Sequence, residues 1–73
     1  MPNYNSPALD KGLDILEYLS LNSTPQSQTE IAIGSDRKPN EIYRMLICLE
    51  ERGYIMRNKI SGKFSLSLKL YHL

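Results

Sequence analysis

The chain has 73 residues, 41% of them hydrophobic and 23% charged, with a formal net charge of +1. That length allows one small domain with a modest core, and the composition is that of a folded chain rather than a disordered one. A single cysteine, Cys48, excludes an internal disulfide, and the apolar runs are too short to span a bilayer.

The first helix is announced by Ser6-Pro7, a good N-cap followed by a residue whose missing N–H is not needed in the first turn. Leu9, Leu13, Leu16 and Leu19 then recur at helical spacing, with Ile15 widening the stripe, and are expected to supply the core. Asn22-Ser23-Thr24-Pro25 ends this helix. Ser27-Gln28-Thr29-Glu30 is a capping box that opens a short second helix carrying Ile31, Ala32 and Ile33. Gly34 to Lys38 reads as a turn, because Gly and Asp tolerate left-handed backbone.

Pro39 opens the third helix, with Glu41 in its first turn, where a carboxylate is favourable. Lys38 before it is a poor N-cap. Ile42, Met45, Leu46 and Leu49 form the core stripe, and Gly53 suits a left-handed helix end. Tyr54 to Arg57 and Lys63 to Leu66 flank Ser61-Gly62 as the strands of a hairpin. Ser67 is placed to cap a last helix with Leu68, Leu70, Tyr71 and Leu73. The expected fold is mainly α with a small β-hairpin: a winged helix-turn-helix with a three-helix core, a two-stranded wing and the start of a linker helix. The expected divisions are a tail over 1–7, the domain over 8–66 and the linker helix over 67–73.

Charge is segregated along the chain. Residues 1–36 carry five acids against one base, a balance of −4, whereas residues 37–73 carry eight bases against three acids, a balance of +5. This asymmetry fits a polyanion on one face.

At the level of motif, the chain resembles the N-terminal DNA-binding domain of the IclR family of bacterial transcription regulators. The resemblance runs over Ala8 to Leu19 and Ser27 to Ala32. It continues through Pro39-Asn40-Glu41-Ile42-Tyr43-Arg44-Met45-Leu46 and Leu49-Glu50-Glu51-Arg52-Gly53-Tyr54-Ile55, to the exit at Phe64 to Ser67. The block from Arg44 to Ile55 is its most specific part. The family usually has a leucine then a glycine at the end of the second helix, where this chain has Ser35 and Asp36, so a wider turn or a shorter helix is expected. The resemblance implies sequence-specific binding of double-stranded DNA, with helix 39–52 in the major groove and wing 54–66 on the backbone or minor groove. It also implies a palindromic operator, a homodimer in the full-length protein, and a C-terminal domain binding a small-molecule effector. These 73 residues do not include that domain.

With the apolar stripe inward, Asn40, Tyr43 and Arg44 face outward. Asn40 suits adenine, donating to N7 and accepting from the N6 amino group. Arg44 suits phosphate or guanine, phosphate being favoured. Tyr43 reaches a phosphate through its hydroxyl or a thymine methyl through its ring. Arg37 and Lys38 suit phosphate, Glu41 at the same helix start is counted with the DNA-binding residues, and Arg57, Lys59 and Lys63 are the cations of the wing. Each has a plainer reading: solvation of the first turn for Asn40, half-burial for Tyr43, a surface pair with Glu41 for Arg44, and hairpin solubility for the lysines. Cys48 reads as a small packing residue.

The alternative is a winged-helix module that binds protein rather than DNA, which calls for exposed apolar residues on the third helix. An enzyme is not expected. There is no Gly-rich phosphate loop, no metal-ligand spacing, and the one histidine, His72, has no paired nucleophile, so neither cofactor nor metal is expected. Met1 to Asn5 lack the cationic start and apolar stretch of a signal peptide, so the expected location is cytoplasmic, without membrane contact.

Overall fold

The computed structural model describes residues 6–72. Most of the expected tail, and Leu73 of the last helix, lie outside them. The elements in order are helices α1 (Pro7–Leu21), α2 (Gln28–Gly34) and α3 (Pro39–Glu51), strands β1 (Ile55–Arg57) and β2 (Phe64–Leu66), and a 3-10 turn, η1 (Leu68–His72). Three helices closed by an antiparallel hairpin make the winged helix-turn-helix expected from the sequence.

Pro7 opens α1 as expected, but the Ser6 side chain caps nothing; its carbonyl accepts from the Asp10 N–H at 2.9 Å instead. The core stripe of α1 also differs from the leucine repeat. Ile15 and Leu19 are its buried residues, whereas Leu9 is 58% and Leu13 44% exposed. The helical turn explains this: at 3.6 residues per turn, Leu9 and Leu13 sit roughly 100–140° round from the Ile15–Leu19 midline. Ile15, which seemed only to widen the stripe, is at its centre.

The capping box of α2 forms in full. Ser27 Oγ accepts from the Glu30 N–H at 3.1 Å, and Glu30 Oε1 accepts from the Ser27 N–H at 2.8 Å. Ile31 and Ala32 are buried and Ile33 is exposed. The following turn closes tightly, because Ser35 N–H donates to Ile31 O at 2.9 Å and Arg37 N–H to Ala32 O at 2.8 Å. Asp36 carries the left-handed backbone this requires, with φ of 57°. A short polar side chain tolerates that conformation at a cost of about 1 kcal/mol, so glycine is not obligatory here.

Ile42 and Leu46, four apart on α3, are fully buried, with Met45 and Leu49 packed beside them. Ile55 and Phe64, at the root of the wing, complete the core. Full burial of such side chains stabilises by about 1.5–3 kcal/mol each, which a chain this short depends on. β1 pairs with β2 in the register Ile55↔Leu66, Met56↔Ser65, Arg57↔Phe64. Gln26 adds a third position to this sheet: it exchanges backbone hydrogen bonds with Phe64 at 2.8 and 2.7 Å. The wing is therefore fixed to the loop before α2 as well as to α3. η1 buries none of its residues, unlike the apolar helix read from Leu68, Leu70 and Tyr71. Ser67 does serve its start, accepting from the Lys69 N–H at 3.2 Å while donating to the Gly53 carbonyl.

Candidate nucleic-acid interface

The first turn of α3 is set from α2. Gln28 Nε2 donates to the Pro39 carbonyl at 2.9 Å, so the entry to α3 is tied to the helix that precedes it. Lys38 makes no side-chain cap, and its carbonyl accepts from the Glu41 N–H at 3.0 Å. With Ile42 and Leu46 turned inward, Asn40, Tyr43 and Arg44 are exposed on the opposite side. Ile47 is half-buried beside them. Cys48 is exposed too, contrary to its reading as a packing residue. It lies four residues on from Arg44, roughly one turn along the outward face.

At the wing, Asn58 builds the tip. Its Oδ1 accepts from the N–H groups of Ile60 and Ser61 at 2.8 and 2.9 Å, and its backbone bonds to Lys63 O and Gly62 N close the loop. Gly62 has φ of 74°, left-handed backbone that glycine adopts without strain. Lys59, Ile60 and Lys63 are exposed on this loop.

The eight bases of the C-terminal half fall into different roles. Arg37 donates through Nε and Nη2 to Asp14 Oδ2, at 3.2 and 3.0 Å, and lies 3.9 Å from Glu41. Arg57 donates to Glu50 Oε1 at 2.9 Å and stacks over the Phe64 ring, 4.9 Å from its centre. Lys69 donates to the Arg52 carbonyl at 2.6 Å and sits over Tyr54, capping the end of α3. Lys38, Arg44, Arg52, Lys59 and Lys63 have no ion-pair partner among the described residues, and the Arg44–Glu41 pair read from the spacing is absent there. The residues singled out from the sequence thus divide into two sets. Lys38, Asn40, Tyr43, Arg44, Lys59 and Lys63 present uncommitted polar groups outward, while Arg37, Glu41 and Arg57 bind within the fold.

Sequence reasoning missed the supports. Gln26 is buried; its Oε1 accepts from the Tyr18 hydroxyl at 2.7 Å, and its amide nitrogen satisfies the Thr24 carbonyl at 3.1 Å. The Tyr18 ring packs against Gly34: a Cβ there would lie 1.9 Å from the ring. A glutamine between Pro25 and a helix cap carries no signal that it will be buried. Nor does any local pattern mark Asp14, on α1, as the partner of Arg37.

Glu30 is held below its ordinary carboxylate range, chiefly by the Ser27 N–H, next by the Ser27 hydroxyl, and more weakly by Lys63. Among the described residues no three His, Cys, Asp or Glu side chains are grouped to hold a metal. None of the described helices is long and apolar enough to cross a membrane. An open edge of amide, phenol and cationic donors suits an extended anionic partner rather than a small enclosed ligand.

The model of the IclR helix-turn-helix domain family matches residues 8–59. The structure is similar to the crystal structure of HmgR from Pseudomonas aeruginosa, with a TM-score of 0.83 at 21% identity, over 92% of this chain and 28% of that one. It is also similar to an IclR family transcriptional regulator from Brucella abortus, with a TM-score of 0.85 at 20% identity, over 99% of this chain and 28% of that one. The chain spans little more than a quarter of the length of either regulator. No curated protein matches its sequence. The family match covers more than half of the chain, from α1 into the wing, and with it the chain belongs to the IclR family, as a winged helix-turn-helix domain of the DNA-binding kind found in transcription regulators.

Proposed function

We propose that this domain binds double-stranded DNA sequence-specifically, with α3 in the major groove and the wing over the adjoining backbone or minor groove. The observation that carries this reading is the row of uncommitted donors from Lys38 to Arg44 and from Lys59 to Lys63, beside Arg37, Arg57 and Lys69, which are engaged within the fold. Asn40, at the N-terminal end of α3, is the base reader, because its amide matches the paired donor and acceptor of adenine. Tyr43 contacts a phosphate or a thymine methyl. Lys38, Arg44, Lys59 and Lys63 hold phosphates, and Arg37 and Arg57 support them indirectly by bracing the start and end of α3.

A single domain covers half a site, so two copies on a palindrome are the natural assembly. Leu9 and Leu13, left exposed on α1, offer apolar surface for that second copy. In this reading the role is binding, in the cytoplasm, and any small-molecule effector acts through a separate domain.

An NMR titration of the labelled chain with generic duplex DNA at low salt tests the proposal. Shifts clustered at 38–44 and 59–63, reversed by salt, are expected. Four neutralised phosphates predict that log K falls with log salt at a slope of about −4. An intact fold without shifts at these residues would instead favour the protein-binding module.

A further inference from the structure

The wing tip holds an apolar side chain entirely in solvent. Ile60 is 98% exposed, the most exposed large hydrophobic residue of the described chain. A single exposed isoleucine is unremarkable on a surface, but this one sits on a built support. Asn58 Oδ1 receives both the Ile60 and the Ser61 N–H, and Gly62 turns the chain back with its N–H on the Asn58 carbonyl at 2.8 Å. The loop thus spends its local hydrogen bonds on fixing the apex where the isoleucine is carried. Lys59 precedes Ile60 directly and Lys63 follows three residues later, both without an ion-pair partner among the described residues.

An apolar apex between two cations matches the cross-section of a DNA minor groove. Phosphates line its two edges, while its walls are the C–H faces of deoxyribose. Branched aliphatic side chains are among those that proteins place in this groove, where they lose their exposure to water. We propose that Ile60 enters the minor groove as an apolar probe, with Lys59 and Lys63 on the flanking phosphates. The inference rests on the DNA-binding reading above and deepens it, since it commits the wing to the minor groove and assigns the contact to a residue with no charge and no hydrogen-bonding group. Readout there depends on groove width and base-step deformability rather than on hydrogen bonds.

Removing an apolar contact and removing a phosphate contact leave different signatures, because only the second changes the number of counterions released. In anisotropy titrations of a labelled duplex across a salt series, Ile60→Ala is expected to weaken binding about tenfold with the salt slope unchanged. Ile60→Val, which keeps the branched shape, should stay within about twofold of the parent chain. Lys59→Ala should instead reduce the magnitude of the slope by about 0.9. In parallel, the Ile60 δ-methyl signal should shift on adding DNA and return when a minor-groove-binding oligoamide is added, while the Asn40 to Arg44 shifts persist. Parent-like affinity for Ile60→Ala, with an unmoved methyl signal and intact shifts at Asn40 to Arg44, would overturn the inference and leave the DNA-binding reading standing. Absence of any binding by the parent chain at low salt would remove both.

Discussion

The seam between α1 and the turn before α3 and the outward edge from Lys38 to Lys63 both carry basic side chains, yet they use them in opposite ways. At the seam, Arg37 is enclosed by Asp14 and Glu41, and close by Tyr18 lies on Gly34 and reaches Gln26. At the edge, Lys38, Arg44, Lys59 and Lys63 form no ion pair among the described residues. A base count therefore overstates the charge available to a polyanion. Part of the apparent basic face is internal bracing, and its contribution to binding is through geometry.

The largest expected effect breaks the seam without touching any charge. Gly34→Ala places a methyl group within the Tyr18 ring, which must swing away and lose its bond to Gln26. A loss of about 1–3 kcal/mol is expected, read as a lowered urea midpoint with an unchanged m-value. A midpoint equal to the parent's would show that the ring moves freely and that the seam is loosely packed.

A matched pair of variants then sharpens the comparison itself. Arg37→Ala should cost about 0.5 kcal/mol of stability, since its pair with Asp14 is partly exposed, and should leave the salt slope of DNA binding unchanged. Lys38→Ala should do the reverse, preserving stability and reducing the slope magnitude by about 0.9. Equal slope changes in the two variants would mean that Arg37 leaves Asp14 to take a phosphate.

The smallest effect concerns Glu30, at the start of α2 between the two regions. Its folded-state pKa is depressed, so the stability it contributes is complete above the ordinary glutamate range and is lost as pH falls through the depressed value. Glu30→Gln keeps a side chain able to reach back to Ser27 but cannot titrate. Melting temperatures of the two chains should differ slightly near neutral pH and converge in acid. A gap that persists below the carboxylate range would assign the effect to shape rather than charge.

Several features were legible before any coordinates because they depend on neighbours in the sequence. The capping box at Ser27 and Glu30, the proline starts of α1 and α3, the left-handed Gly53, the hairpin turn around Ser61-Gly62, and the Ile42–Leu46 stripe are local in this sense, and all appear in the fold. The outward placement of Asn40, Tyr43 and Arg44 follows from that stripe by helical geometry alone. Other features depended on residues far apart in the chain. The leucines at 9 and 13 had the right spacing but the wrong angle, because the face that α1 buries depends on where α2, α3 and β2 lie. Asp14 and Arg37 are 23 positions apart, and the 38 between Gln26 and Phe64 are spanned by a sheet bridge that no local pattern announces. Spacing along the chain determines which residues can share a face. Which face finds a partner, and which cation finds a carboxylate, was decided only when the helices packed, because burial and ion pairing depend on proximity in space rather than along the chain.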